Sequence, residues 1–517
     1  MYIIVHKHGQ FEVQTRMKRE NKAIKNIFVG GMAQLIAMAI SLFVPRMLIM
    51  AYGSDANGLV STISQAFTYI ALLEAGIGNA ALVLLYKNIA QKDADGLAYT
   101  LSATRSYFRR LIPIYALCVA GFAAAFPFFA KTGVEHSTIR WIILIQGMSG
   151  VINFGCINTH VQLLTADGRN YIITGLDLMA KVIISLGQII LISLGMNIIV
   201  SQMASLAAMA MRAIVINIYV RRVYPDLKLF RGADIGILKQ RKAMLVHEIT
   251  SVIFSCTDVF IISIFCGTAL ASVYAVYELI YSSLNSFIRV IENGFSYKFG
   301  HIYNADIENY PRFHDGFEAA YSALVFAVMS ATLYLALPFV SLYTSGVTDA
   351  NYIDPLLPLL FALVRLLSCS RIPGVKLIII AGHVPKTIAN TIIEAILNLG
   401  ISLVLVQFMG IYGVLLGTIA ALLYRSNDII FYANRKILSR MPKQCYITHG
   451  AYFAIFALNY LLSRRISLPI GNYGAFLLWG CIVAAAMMAV YGCAMLLVSP
   501  DARGFFFGKL LKKRAKA

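Results

Sequence analysis

From Ile27 onward the chain is a succession of apolar runs of about 20 residues or more, separated by short polar stops. Each run can cross a hydrocarbon layer of roughly 30 Å as an α-helix rising about 1.5 Å per residue. A helix satisfies its own backbone hydrogen bonds, so it is the expected way for such a run to span lipid. The pattern predicts fourteen membrane helices, over 27–51, 57–86, 109–130, 139–163, 171–194, 196–219, 245–266, 268–292, 315–343, 355–382, 386–409, 411–433, 446–468 and 473–498. The thirteenth is cut short by Arg464 and Arg465. Glycines and prolines interrupt two of them, at Glu74-Ala-Gly76-Ile-Gly78 and at Arg371-Ile-Pro373-Gly374, either as packing kinks or as deformable backbone at a site.

The run of helices occurs twice. Gly53 in AYGSDANGLV finds Gly267 in FCGTALASVY, and Gly168 in TADGRNY finds Gly382 in IAGHVPK, both displaced by 214 residues. Arg212 and Tyr219 find Arg425 and Tyr432 at a displacement of 213. Duplicated helical lobes are a transporter pattern, with the substrate path expected between the lobes. The expected fold class is therefore an all-α polytopic membrane protein of two pseudo-symmetric six-helix lobes plus two C-terminal helices. The boundaries expected are a basic N-terminus at 1–26, an N-lobe at 27–219, a linker at 220–244, a C-lobe at 245–433, two further helices at 434–498 and a basic tail at 499–517.

Composition agrees: 59% of residues are hydrophobic and 13% charged, with a mean hydropathy of +0.73. A soluble domain could not hide so much apolar surface. The net charge of +20 lies in alternate loops, before the first helix, at 87–110, at 221–242, at 435–443 and in the tail KLLKKRAKA. Intervening loops such as YGSDAN and TSGVTDANYID carry no basic residue, although Lys131, Arg140, Arg464 and Arg465 break the rule. This is the positive-inside pattern of a multi-pass cytoplasmic-membrane protein with both termini cytoplasmic, so the charge implies membrane lipids and not nucleic acid as the partner. The segments 87–110 and 297–314 mix charges with Tyr, Phe and Leu and are expected to lie as amphipathic helices on the inner surface. Residues 1–16 read as an upstream addition to MKRENKAIKNIFVGG, and no secretory signal is expected.

Enzymatic chemistry finds no foothold. There is no Walker A loop, no H-E-x-x-H, no G-x-G-x-x-G after a strand and no paired-Asp loop, and the outer connections are small. The eight cysteines show no C-x-x-C spacing and read as packing residues, so neither a disulfide framework nor a metal site is expected.

The chemistry is sought among charges within the helices, each costing about 2.5–3.5 kcal/mol at the bilayer centre unless paired or wetted. Asp258, Glu278, Arg365 and Lys181 fall near mid-depth; Glu74, Glu248, Arg289, Arg371, Glu394, Arg212 and Arg425 fall in the inner half, and Arg46 toward the outer face. Asp177 and Lys181 at i,i+4, and Arg425 and Asp428 at i,i+3, are spaced for pairs within one helix. Arg46, Arg212, Arg289 and Arg371 either snorkel to headgroups or face a cavity. Arg365, in LPLLFALVRLLSCSRIPG, is too deep to snorkel and fits a cavity or a buried pair, with Asp258 and Glu278 as its counterions or as a cation site.

Two stretches also carry a family resemblance. VPRMLIMAYGSDANGLVSTISQAFTYIALLEAGIGNAAL resembles the first two helices of Wzx-type polysaccharide flippases, through Arg46, Gly53, Gly58, Leu59, Tyr69, Leu72, Glu74, Gly76 and Ile77. SCTDVFIISIFCGTALASVYAVYELI resembles that family's seventh helix and turn, through Thr257, Asp258, Ile262, Ser263, Gly267 and Tyr274. The resemblance implies the MOP superfamily: alternating access and export of a polyprenyl-diphosphate-linked oligosaccharide, with Arg46, Asp258 and Arg365 carried over as candidates. The expected substrate-binding set is then Arg46, Arg289, Arg365 and Arg371, because guanidinium forks suit a diphosphate. The ion-coupling set is Asp258, Glu278 and Glu74, for H⁺ or Na⁺, with no other cofactor. Polysaccharide-assembly membrane proteins are expected partners. A lipid II flippase, a MATE-type cation or drug antiporter and, outside transport, a polyprenyl-linked glycan polymerase or ligase are the competing readings.

Overall fold

The computed structural model describes residues 32, 36, 40, 42–74, 77–91, 93–225, 227, 229–230, 233–237, 257–305 and 307–503. The chain is an all-helical, multi-pass membrane protein. Nine helices among the described residues are long and apolar enough to cross a membrane. Of the sequence-predicted spans at 27–51 and 245–266, most of 27–41 and all of 245–256 lie outside the described residues, as do Glu248, Gly76, the tail 1–26 and residues 504–517.

The chain divides into two units, Met1–Cys256 and Thr257–Ala517. The first contains α1 (42–71), α2 (Ile77–Gln91), α3 (Ala94–Phe129), α4 (His136–Ile152), α5 (Asn158–Ala166), α6 (Asn170–Ser193) and α7 (Ile198–Val223). The second contains α8 (257–265), α9 (Thr268–Ala305), α10 (Tyr310–Tyr343), α11 (Leu357–Ser370), α12 (Ile372–Ile380), α13 (Ile388–Met409), α14 (Ile411–Tyr432), α15 (Lys443–Ser463) and α16 (Tyr473–Val498).

The two units are built to one plan. The C-terminal ends of α3 and α10 differ by 214 positions, and both ends of α5 and α12 differ by the same 214. The paired glycines share a backbone state: Gly53 (φ 84°) with Gly267 (φ 101°), and Gly168 (φ 71°) with Gly382 (φ 70°). A positive φ costs a side chain but not glycine, so these positions repeat for a stereochemical reason, Gly53 within α1 and the other three between helices. Side-chain contacts repeat as well. Arg169 donates to the Tyr219 hydroxyl at 3.1 Å, and at the equivalent positions His383 Nδ1 meets the Tyr432 hydroxyl at 3.2 Å. Arg212 pairs with Asp177, and Arg425 donates to Thr391, the position equivalent to Asp177, at 2.8 Å.

Close helix contacts follow small residues, as expected where lipid supplies no hydrophobic drive between helices. A Cβ on Gly187 of α6 would meet the Ala204 methyl of α7 at 2.9 Å. In the second unit the glycine changes sides: a Cβ on Gly417 of α14 would lie 2.7 Å from the Ser402 nitrogen of α13. The second unit also carries α15 and α16, fixed to α10 by an aromatic cluster in which Phe326 packs on Phe453 at 4.8 Å and Tyr491 at 6.0 Å. Hydrogen bonds from Tyr452 to the Ala319 carbonyl (3.1 Å) and between Ser330 and Tyr491 (2.8 Å) set its register.

Two expectations are corrected. The segments 87–110 and 297–314 are not separate surface helices: α3 runs unbroken for 36 residues from an Asp93 cap, and α9 runs 38 residues to Ala305. At about 1.5 Å per residue such helices reach about 54 Å, so their charged ends extend beyond the hydrocarbon instead of turning along it. Asp177 pairs with Arg212 of α7 and not with Lys181, which is exposed; a guanidinium on the neighbouring packed helix is the better partner. The interruption expected at Arg371-Ile-Pro373-Gly374 is present: the run at 355–382 is two helices, because Arg371 ends α11 and Pro373 sits in the first turn of α12, where its missing N–H costs nothing.

Candidate functional site

The charges of the second unit gather where α8, α9, α11, α13 and α14 meet. Gly267 reverses the chain between α8 and α9, bringing Asp258 beside Tyr274, whose hydroxyl donates to Oδ2 at 2.9 Å. Thr418 of α14 approaches the same carboxylate at 3.0 and 3.3 Å and accepts from Asn398 Nδ2 of α13 at 2.8 Å. The Asn398 side-chain oxygen is buried with no hydrogen-bond partner among the described residues. Asp258 is 7% exposed and makes no ion pair with a described residue. A buried carboxylate held by neutral donors beside an orphaned acceptor is chemically suited to a proton or a small hard cation.

One turn beyond Tyr274, Glu278 forms an ion pair with Arg365 of α11. Arg365 is largely buried, Glu278 less so, with side-chain exposures of 15% and 32%. Arg365 Nε has no partner among the described residues. Phe361, on the same helix, packs against Tyr274, Tyr277 and Tyr281 with centroids at 4.9, 5.7 and 5.5 Å. Tyr277 and Tyr281 donate to the carbonyls of Tyr352 (2.9 Å) and Pro358 (2.8 Å). This aromatic ladder fixes α9 against α11 and so fixes Glu278 against Arg365.

A second network surrounds the break at Arg371. Arg371 pairs with Glu394 of α13; Glu394 also lies 3.5 Å from Arg425 Nε, and Arg425 pairs with Asp428. Two arginines and two carboxylates leave this group neutral. Lys376 pairs with Glu292 at 2.8 Å.

The sequence-selected residues thus separate. Asp258, Glu278 and Arg365 are brought together; Arg371 belongs to the Glu394 network. Arg289 is exposed on α9 and makes neither a hydrogen bond nor an ion pair with a described residue. In the first unit Glu74 accepts from Asn158 Nδ2 at 2.5 Å, and Arg46 is half-buried on α1. Sequence reasoning did not single out Thr418 or Asn398. The available signal was a neutral polar residue on the apolar helices 386–409 and 411–433.

No protein-family model and no curated protein matches the sequence. Solved structures do match in fold. The lipid II flippase MurJ in an inward closed conformation aligns at a TM-score of 0.68 and 12% identity, over 93% of this chain and 99% of that one. An inward-facing multidrug resistance MATE transporter of the MOP superfamily aligns at 0.61 and 15% identity, over 78% of this chain and 95% of that one. The chain has the MOP-superfamily fold. A further MOP transporter, from Pyrococcus furiosus and described by a binding pocket of reversed polarity, aligns at 0.53 and 13% identity over 79% of this chain and 95% of that one.

Proposed function

We propose that this MOP-fold protein moves a polyprenyl-diphosphate-linked oligosaccharide across the cytoplasmic membrane by alternating access, for cell-surface polysaccharide synthesis, with H⁺ or Na⁺ at Asp258 as the coupling ion. The observation that carries the transport class is the fold, which MurJ matches over 93% of the chain. The MATE structure matches 78%. That difference favours a lipid-linked substrate over a free cationic drug, and it keeps lipid II as the second reading. Arg289 supports an anionic head, because it is exposed and unpaired among the described residues while Arg365 and Arg371 are neutralised by Glu278 and Glu394. A guanidinium fork binds phosphate oxygens in pairs. Coupling requires an ion that binds one state better than the other. The buried Asp258 carboxylate, linked through Thr418 to the Asn398 amide, is the candidate ligand for such an ion. Depletion in the native host, followed by lipid mass spectrometry, tests the substrate class: a polyprenyl-diphosphate oligosaccharide should accumulate on the inner leaflet. Accumulation of lipid II would favour the second reading, and an unchanged lipid profile would contradict both.

A further inference from the structure

At the start of α15 lies a group of side chains that plays no part in the transport reading. Glu318 of α10 and Cys445 and His449 of α15 are all buried, at 6%, 7% and 6% exposure. One ligand atom from each lies within 4.8 Å of the others. Cys445 Sγ is 2.7 Å from Glu318 Oε1 and 3.4 Å from His449 Nδ1. In a tetrahedral zinc site, sulfur at about 2.3 Å and nitrogen at about 2.0 Å from the ion stand about 3.5 Å apart. The S···N separation already matches, and the carboxylate needs to move outward by less than about 1 Å.

We propose that Glu318, Cys445 and His449 bind a zinc-class divalent ion that clips α15 to α10.

Further features fit. His449 turns Nδ1 toward the thiol while its other nitrogen, Nε2, meets the Ser322 hydroxyl at 3.0 Å. A partner on the second ring nitrogen is what orients a metal-bound histidine. Charge also balances: a carboxylate and a thiolate neutralise a divalent ion, so the filled core is neutral, as burial demands. Asp315 does not compete, because Arg440 holds it through two hydrogen bonds, one of 2.7 Å. The neighbouring His314 is 1% exposed, its Nδ1 lies 3.8 Å from Glu318 Oε2, and its Nε2 is buried without a partner among the described residues. It is therefore a histidine on hand for the fourth position, which a structural zinc site fills with protein and an open one with water. Mixed S, N and O donors favour Zn²⁺ or Co²⁺ over Mg²⁺ or Ca²⁺. On binding, the Cys445 thiol proton passes to solvent.

The test uses the full chain in detergent, with any affinity tag removed, stripped of metal and titrated with Co²⁺. One Co²⁺ per chain is expected, with a thiolate-to-cobalt charge-transfer band and the visible bands of a tetrahedral ion, both erased by Zn²⁺. Cys445→Ser should lose the charge-transfer band, and His449→Asn should weaken Co²⁺ binding at least about tenfold. Zn²⁺ should raise the melting midpoint of the wild type but not of Cys445→Ser. If Cys445→Ser does not fold, the wild-type stoichiometry and band decide. Less than a tenth of an equivalent bound, or a charge-transfer band that survives in Cys445→Ser, would overturn the proposal.

Discussion

Replacing Arg365 by Met removes the guanidinium while keeping an unbranched apolar stem, and it strands Glu278 in the second unit. Losing one partner of a fully buried ion pair costs about 3–5 kcal/mol, because the remaining charge is left without compensation. Arg365 is 15% exposed, but Glu278 is 32% exposed, so solvent screens part of the stranded charge. Discounting by roughly a third gives about 2–3 kcal/mol. Glu278→Gln strands Arg365 and should cost a similar amount. The double variant removes both charges and should return to within about 1 kcal/mol of wild type, since well-packed neutral replacements of buried pairs are often neutral. Unfolding in mixed detergent micelles, read by tryptophan-independent probes such as circular dichroism, gives the four corners of the cycle. A double variant as unstable as the two single variants combined would refute the pairing. An unchanged Arg365→Met midpoint would refute the burial argument.

Gly417→Ala should destabilise by about 1–3 kcal/mol, because its methyl would press on the Ser402 backbone at 2.7 Å. Gly187→Ala, which meets only a methyl, should cost less, and equal melting midpoints would contradict this. Asp258→Asn keeps the shape of the Tyr274 and Thr418 contacts but removes the charge. Transport by that variant should lose its dependence on an imposed Na⁺ or proton gradient, and retained dependence would exclude Asp258 as the coupling site. For orientation, in a cysteine-free background Asp349→Cys should react with an impermeant thiol reagent from outside and Lys436→Cys only after permeabilisation; the reverse would invert the topology.

The helical class and the repeat were legible because both are written in local pattern. Apolar runs set helix positions, and glycines at a constant displacement mark positions that share a positive φ. Local charge spacing also served for Arg425 and Asp428, one turn apart on α14. It failed for Asp177, because the choice between Lys181 and Arg212 depends on how α6 packs on α7, which no single-helix pattern encodes. The depth of Arg365 pointed to a carboxylate partner, but Asp258 and Glu278 were equally placed by depth. The Phe361 ladder, which holds α9 beside α11, selects Glu278. The Glu318, Cys445 and His449 cluster was hidden by distance: its halves lie 127 residues apart, and Cys445 read alone is a packing residue. The sign that was present is the i,i+4 spacing of His314 with Glu318 and of Cys445 with His449, which puts each pair on one helix face.

The proposed movement of a lipid-linked diphosphate by this protein is open to direct measurement. Purified protein reconstituted into vesicles, supplied with a fluorescent polyprenyl-diphosphate oligosaccharide on one leaflet, measures that movement directly. Wild-type protein should translocate the label well above protein-free vesicles. Arg289→Ala should reduce the rate at least about tenfold without lowering stability, the loss expected when a charge-assisted phosphate contact worth about 1.5–3 kcal/mol is removed. Parallel vesicles carrying a cationic dye should show no protein-dependent flux. Dye movement without lipid movement, or lipid movement no faster than in empty vesicles, would contradict the account.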